Sequence, residues 1–145
     1  MKILVINGPN INMLGIREPA IYGKNNFREL LALLERTAEE EKITVDQFQS
    51  NHEGAIVDTI QAAYGKYDGI VINPAAYTHT SVAIADALRA CSKVPAIEVH
   101  ISNISSRESF RHESLTAPAC LGMIAGLGVD GYEWALRALM TKLNK

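Results

Sequence analysis

Four consecutive apolar residues, Ile3-Leu4-Val5-Ile6, run straight into the turn-forming Asn-Gly-Pro-Asn of positions 7–10. An unbroken apolar run of that length predicts a strand covered on both faces, because a half-solvated strand would alternate with polar residues. From Phe27 the rhythm changes. Apolar side chains at 27, 30, 31, 34 and 38 recur at helical spacing on one face. Asn26 and Glu29 stand where an N-cap and its reciprocal partner would start that helix. Further along, ITVDQF (43–48) predicts a strand and EGAIVDTIQAAYGKY (53–67) a helix closed by Gly65. GIVINPAAY (69–77) predicts a buried strand and a proline turn, HTSVAIADALRAC (79–91) a helix, and PAIEVHI (95–101) a strand. A last apolar strand falls within SLTAPACLGMIAG (114–126), and GYEWALRALMTKL (131–143) predicts a closing helix with Trp134 packed on the sheet. The stretch REPAIYG (17–23) predicts neither helix nor regular strand.

Five short strands alternating with four helices argue for an α/β layer structure with a mostly parallel sheet. For a chain this short, the doubly wound flavodoxin-like arrangement with strand order 2-1-3-4-5 is the first expectation. The 145 residues fit one domain spanning 1–145, with no repeat or linker. Hydrophobic residues at 48% and charged residues at 21% allow a buried core. A formal net charge of -2 supplies no basic footprint for nucleic acid. No segment approaches the ~20 apolar residues of a membrane span, and the N-terminal apolar run is too short for a signal peptide. Cys91 and Cys120 lack metal-ligand spacing and read as free buried thiols, so the expected location is the cytoplasm.

Ligands of an open parallel sheet bind beyond the carboxyl ends of its strands, and polar residues collect at those ends here. No Gly-rich phosphate loop is present, and His52, His79, His100 and His112 do not form a short-range metal motif, so neither metal nor nucleotide cofactor is expected. Glu98 and His100, two apart on a strand, face one side; they form either a catalytic dyad or a structural pair at a strand end. The backbone amides of the following Ile101-Ser102-Asn103 could hold a carboxylate, or the stretch is an ordinary turn. Asn73 ends the third strand. His79 is placed in the first turn of the next helix with Asp86 on the same face, the alternatives being a solvent-facing His79 and a surface Asp86–Arg89 pair. Of Arg107 and Arg111, either could grip a carboxylate in a fork, but Arg107 reads better as a solvated partner of Glu108. Arg17 could favour the phenolate of Tyr22 and make it a base. Alternatively Tyr22 anchors its loop and Arg17 binds Glu18 or solvent, which the composition of the loop by itself favours. A non-catalytic flavodoxin-like binding module is the competing functional class, although the acidic cluster of a phospho-acceptor and the hydroxyl-rich loop of a flavin carrier are both missing after strand 1.

Five segments in order, INGPNINMLGIREPAIYG, QSNHEGAIVD, INPAAYTHTSVAIADAL, EVHISNISSRESFRHES and GLGVDGYEWAL, resemble the type II 3-dehydroquinate dehydratase family over nearly the whole chain. The resemblance implies reversible dehydration of 3-dehydroquinate to 3-dehydroshikimate, in the shikimate or quinate pathway, on a flavodoxin-like fold with no metal or organic cofactor. It implies a homododecamer built as a tetramer of trimers. It assigns Tyr22 as the base, Arg17 as its activator, His100 as the general acid, Glu98 as the residue orienting His100, and Asn10 to the network around an enolate. It assigns Asn73, His79 and Arg111 to substrate hydroxyls, the amides of Ile101 and Ser102 to the substrate carboxylate, and Asp86 to the site of a neighbouring subunit. The segment REPAIYGKN resembles the family's mobile lid. Many relatives carry glycine where Ala75 or Ala76 stands here.

Overall fold

A computed structural model describes residues 1–16, 18–22 and 25–145, with Pro19 and Tyr22 described by their backbone alone. Five parallel strands, β1 (Lys2–Asn7), β2 (Thr44–Gln49), β3 (Gly69–Asn73), β4 (Ala96–His100) and β5 (Gly122–Ala125), form one sheet in the order β2-β1-β3-β4-β5. Every neighbouring pair is parallel. The longer helices are α2 (Phe27–Glu41), α3 (Glu53–Ala63), α4 (Val82–Ala90) and α5 (Asp130–Leu143). With helices on both faces, this is the flavodoxin-like order expected from the sequence.

Alternation along the strands assigns each face its helices. Ile3, Val5 and Val71 join Leu30, Leu33 and Leu34 of α2 and Leu136 and Leu139 of α5 in one core. Leu4, Ile6, Ile70 and Ile72 point the other way and meet Ile56 and Ile60 of α3 and Ile84 and Leu88 of α4. The three inner strands are therefore almost wholly buried, while β2 and β5 at the edges are partly exposed. Helix α2 starts where expected: Asn26 Oδ1 accepts from the Glu29 amide and Glu29 Oε2 accepts from the Asn26 amide, each at 2.9 Å.

Three expectations need correcting. Trp134 does not pack on the sheet; it is 52% exposed, and Tyr132, fully buried, occupies the sheet-facing stripe with Ala135, Leu136 and Leu139. The spacing i, i+3, i+4, i+7 from residue 132 sets that stripe, and 134 falls on the opposite side of the helix. The loop before α2 is not wholly irregular, because Pro19–Tyr22 forms one helical turn, α1, with Ile21 N–H donating to Glu18 O at 2.9 Å; proline suits the first position of a helix. Cys91 is buried as expected, but Cys120 is only partly so. Among the described residues no helix is long and apolar enough to cross a membrane.

Candidate active site

Strands β1 and β3 end in register on Asn7 and Asn73. Both side chains point to the α5 face, where the Tyr132 hydroxyl lies between them. Asn73 Nδ2 donates to Tyr132 Oη at 2.8 Å, and Tyr132 donates to Asn7 Oδ1 at 2.6 Å. Asn73 Oδ1 accepts from the Ala75 amide at 3.0 Å, which fixes the amide's orientation. The two loops that follow are pressed together at Gly8, whose N–H donates to Asn73 O at 2.8 Å and where an added Cβ would lie 2.6 Å from Pro74 O. Ala75 holds φ at 53°, a left-handed conformation that costs an alanine and that glycine adopts freely. Tyr132→Phe keeps the ring but strips two buried amides of their partner. It should cost about 1–3 kcal/mol in urea denaturation, and a loss under about 0.5 kcal/mol would show that the chain of bonds carries no stability.

At the end of β4 the Glu98 carboxylate, 0% exposed, lies 2.6 Å from His100 Nε2. Their shared side follows from the strand period, as expected. The surroundings were not foreseen. Thr78 donates to Glu98 Oε1 and Thr116 to Oε2, both at 2.6 Å, and Ser114 approaches Oε1 at 3.2 Å. Burial by itself pushes the Glu98 carboxyl up. Hydrogen bonds from His100, Thr116 and Thr78, with the charge of His100, outweigh that and hold it below the usual carboxylate value. A carboxyl held lower in the folded chain lends stability above its ordinary pKa, and that stability drains away as pH falls through the folded value. The nearby Cys120 thiol is pushed up to about 12 by burial and by the Glu98 charge, so it stays neutral and unreactive.

A pocket opens in front of these strand ends. Asn10, Asn73, His79, His100, Ile101, Ser102 and Arg111 all line it, which brings together seven of the residues singled out in the sequence. Asn10 is held with φ at 67°, its N–H donating to Asn51 Oδ1 at 3.0 Å. His79 Nδ1 lies 2.6 Å from Glu113 O. Because a carbonyl only accepts, Nδ1 carries the hydrogen and Nε2 is left for another partner. Among the described residues neither the Ile101 nor the Ser102 N–H has a protein acceptor, so both remain able to bind an anion. None of the described residues lining the pocket is acidic, whereas two arginines and two histidines face it. Such a pocket suits a small carboxylate.

His79 is not in the first turn of the following helix. It ends a separate 3-10 turn, Ala75–His79, and Ser81 caps α4 through the Ile84 amide at 2.9 Å. The helical face shared with Asp86 therefore does not exist; Asp86 is exposed and pairs with Arg89 at 3.0 Å. Arg107 is not on a solvated face either. Its side chain is 10% exposed and lines the pocket, because residues 104–111 form two 3-10 turns instead of an α-helix. Glu108 sits 2.9 Å from Arg111 and 3.8 Å from Arg107. Arg17 and the Tyr22 side chain lie outside the described residues. Ala20 and Ile21 of α1 do line a second cleft with Ser102, Asn103 and Arg107, so the loop carrying Tyr22 stands beside the pocket. Among the described residues no group of three or more His, Cys, Asp or Glu is placed to hold a metal ion.

A parallel sheet with a carboxylate–imidazole pair buried at its carboxyl edge, beside a cation-lined pocket, gives a flavodoxin-like fold with its candidate site where such sheets bind ligands. The model of the class II dehydroquinase family matches residues 1–140, and the chain belongs to that family of enzymes. A relative from Endomicrobium trichonymphae named 3-dehydroquinate dehydratase is 60% identical over 140 residues, covering 97% of each chain. One of the same name from Lachnospira eligens is 56% identical over 141 residues, covering 97% of this chain and 96% of its own. The crystal structure of type II dehydroquinase from Butyrivibrio crossotus superposes with a TM-score of 0.95 at 55% identity, covering 97% of each chain.

Proposed function

We propose that the chain catalyses the reversible dehydration of 3-dehydroquinate to 3-dehydroshikimate through an enolate, with Tyr22 as base and His100 as acid. Tyr22, its phenolate favoured by Arg17, removes a proton from C2, next to the C3 ketone. The electrons of the C2–H bond pass into the enolate, whose oxygen is held by a network that includes Asn10. They return to form the C1–C2 double bond as the C1–O bond breaks, and His100 protonates the departing hydroxyl to give water. Glu98 orients the imidazole and stabilises its charged form. Asn73, His79 and Arg111 bind substrate hydroxyls. The Ile101 and Ser102 amides bind the carboxylate. Arg107, buried at the same wall, adds positive charge there. Asp86, exposed on α4, reaches the pocket of a neighbouring subunit within a trimer of a homododecamer.

The observation that carries this reading is the adjacency of His100 to the Ile101 and Ser102 amides at one end of β4. In 3-dehydroquinate the leaving hydroxyl and the carboxylate are on the same carbon. The acid and the anion holder must then be neighbours, and consecutive residues turning off one strand supply both. Mixing the purified protein with 3-dehydroquinate should produce the ultraviolet absorbance of a conjugated enone, and sedimentation of the same preparation reports its assembly. An absorbance no greater than that of a heat-killed control would remove the activity, and a monomer would remove the shared site.

A further inference from the structure

Glu98 is enclosed by hydroxyls from two separate parts of the chain. Thr78 comes from the 3-10 turn after β3, and Ser114 and Thr116 come from the strap between Arg111 and the turn Ala117–Ala119. Main-chain bonds lash the strap to that first turn: Leu115 N–H donates to Thr78 O at 2.7 Å, and Glu113 O accepts from the His79 ring at 2.6 Å. Within the enclosure Thr78 Oγ1 lies 2.7 Å from Ser114 Oγ and 2.8 Å from Thr116 Oγ1. Thr78, Thr116 and Glu98 are each 0% exposed, so water does not substitute for a missing donor. We propose that Thr78, Ser114 and Thr116 are positioning residues of the reaction: their hydroxyls hold the Glu98 carboxylate ionised and, through it, fix the His100 imidazole toward the substrate.

The donor set argues for this role. An ionised carboxylate only accepts, and here it meets two threonine hydroxyls, one on each oxygen, with the imidazole N–H added on Oε1. A protonated carboxyl would need an acceptor for its own hydrogen and would surrender the His100 N–H or a hydroxyl to find one. Neutralising Glu98 therefore breaks up the donor set that fixes the imidazole as well as discharging its partner. Among the described residues the titratable groups facing this carboxylate are His100 on its own strand and the Cys120 thiol ahead of β5. His79, Arg107 and Arg111 line the pocket together with His100. The flanking strands place Ile72 and Met123 opposite Glu98, neither of which titrates. The hydroxyls are thus what distinguishes this carboxylate's surroundings from an ordinary buried pair. The strap also joins directly to Arg111, so one loop both sets the acid's partner and lines the substrate pocket.

This inference rests on His100 acting as the acid, and the test separates the two. Thr116→Val should lower kcat by about tenfold, with KM at neutral pH changed less than threefold. Thr116→Ser, which restores the hydroxyl, should return kcat to near the parent's. The carboxyl carbon of Glu98, followed by 13C NMR without substrate, should titrate higher in Thr116→Val by about one pH unit. Ser114→Ala, at a half-buried loop position, should give a smaller upward movement of that titration and serves where the valine variant does not fold. A kcat and a carbon titration both unchanged in Thr116→Val and Ser114→Ala overturn the proposal, as does a Glu98 that stays protonated at neutral pH in the parent. If the carbon titration moves while His100→Ala retains turnover, the hydroxyls set the carboxylate but the acid reading fails.

Discussion

His100→Ala should lower kcat by about 10²- to 10⁴-fold, the range for loss of a positioned general acid. The hydroxyl leaving a tertiary carbon departs as water only if a proton arrives with it. The imidazole is the group in the pocket backed by a buried carboxylate able to stabilise its charged form. KM should move much less, because the two amides, Arg111 and the asparagines proposed to meet the substrate are untouched. The variant also leaves Glu98 with one fewer donor in a closed site, so its melting temperature should fall, and activity has to be measured well below that transition. Turnover within tenfold of the parent would assign the acid elsewhere. The reaction can be split to make the assignment sharper. In the proposed mechanism enolate formation precedes departure of the hydroxyl, so His100→Ala in D2O should still exchange deuterium into C2 of 3-dehydroquinate while producing almost no enone.

The strand ends were legible for a simple reason. Asn7, Asn73 and His100 terminate apolar runs, and a polar residue at the end of a buried parallel strand falls at the edge where such sheets bind ligands. Period-two alternation likewise put Glu98 beside His100. Local rules failed where the backbone left regular structure. His79 and Asp86 are seven apart, which means a shared face only if one helix spans both, and a 3-10 turn capped anew at Ser81 breaks that continuity. Arg107 and Arg111, four apart, share a face only on an α-helix, and the two 3-10 turns there turn Arg107 into the pocket. Thr78, Ser114 and Thr116 had no signal to find. Threonine and serine are ordinary in loops, and the bond between Thr78 and Ser114 spans 36 positions. Tyr132 and Trp134 differ by about 200° around a helix, so only one of them can face the sheet, and the choice depends on which stripe is taken as the buried one. Long-range pairing, then, is what the sequence withholds, and the hydroxyls around Glu98 are brought there by it.

Tyr22→Phe should cost a similar factor, about 10²- to 10⁴-fold in kcat, but by a different route. Removing the phenol oxygen leaves a ring of nearly the same shape, so folding and substrate binding should persist while proton abstraction stops. The helical turn that carries Tyr22 stands beside Ser102 and Asn103, next to the amides proposed to hold the substrate carboxylate. A phenol is an unusual base because its ordinary pKa is near 10, and about 1.4 kcal/mol is needed for each unit by which it is lowered. Arg17 is proposed to supply that through charge and hydrogen bonding as the lid excludes water. The same D2O experiment then separates the two roles. Tyr22→Phe should lose deuterium exchange at C2 together with dehydration, because without the base no enolate forms. Exchange surviving in Tyr22→Phe but lost in His100→Ala would reverse the assignment of acid and base, and exchange surviving in both would place the base on neither residue.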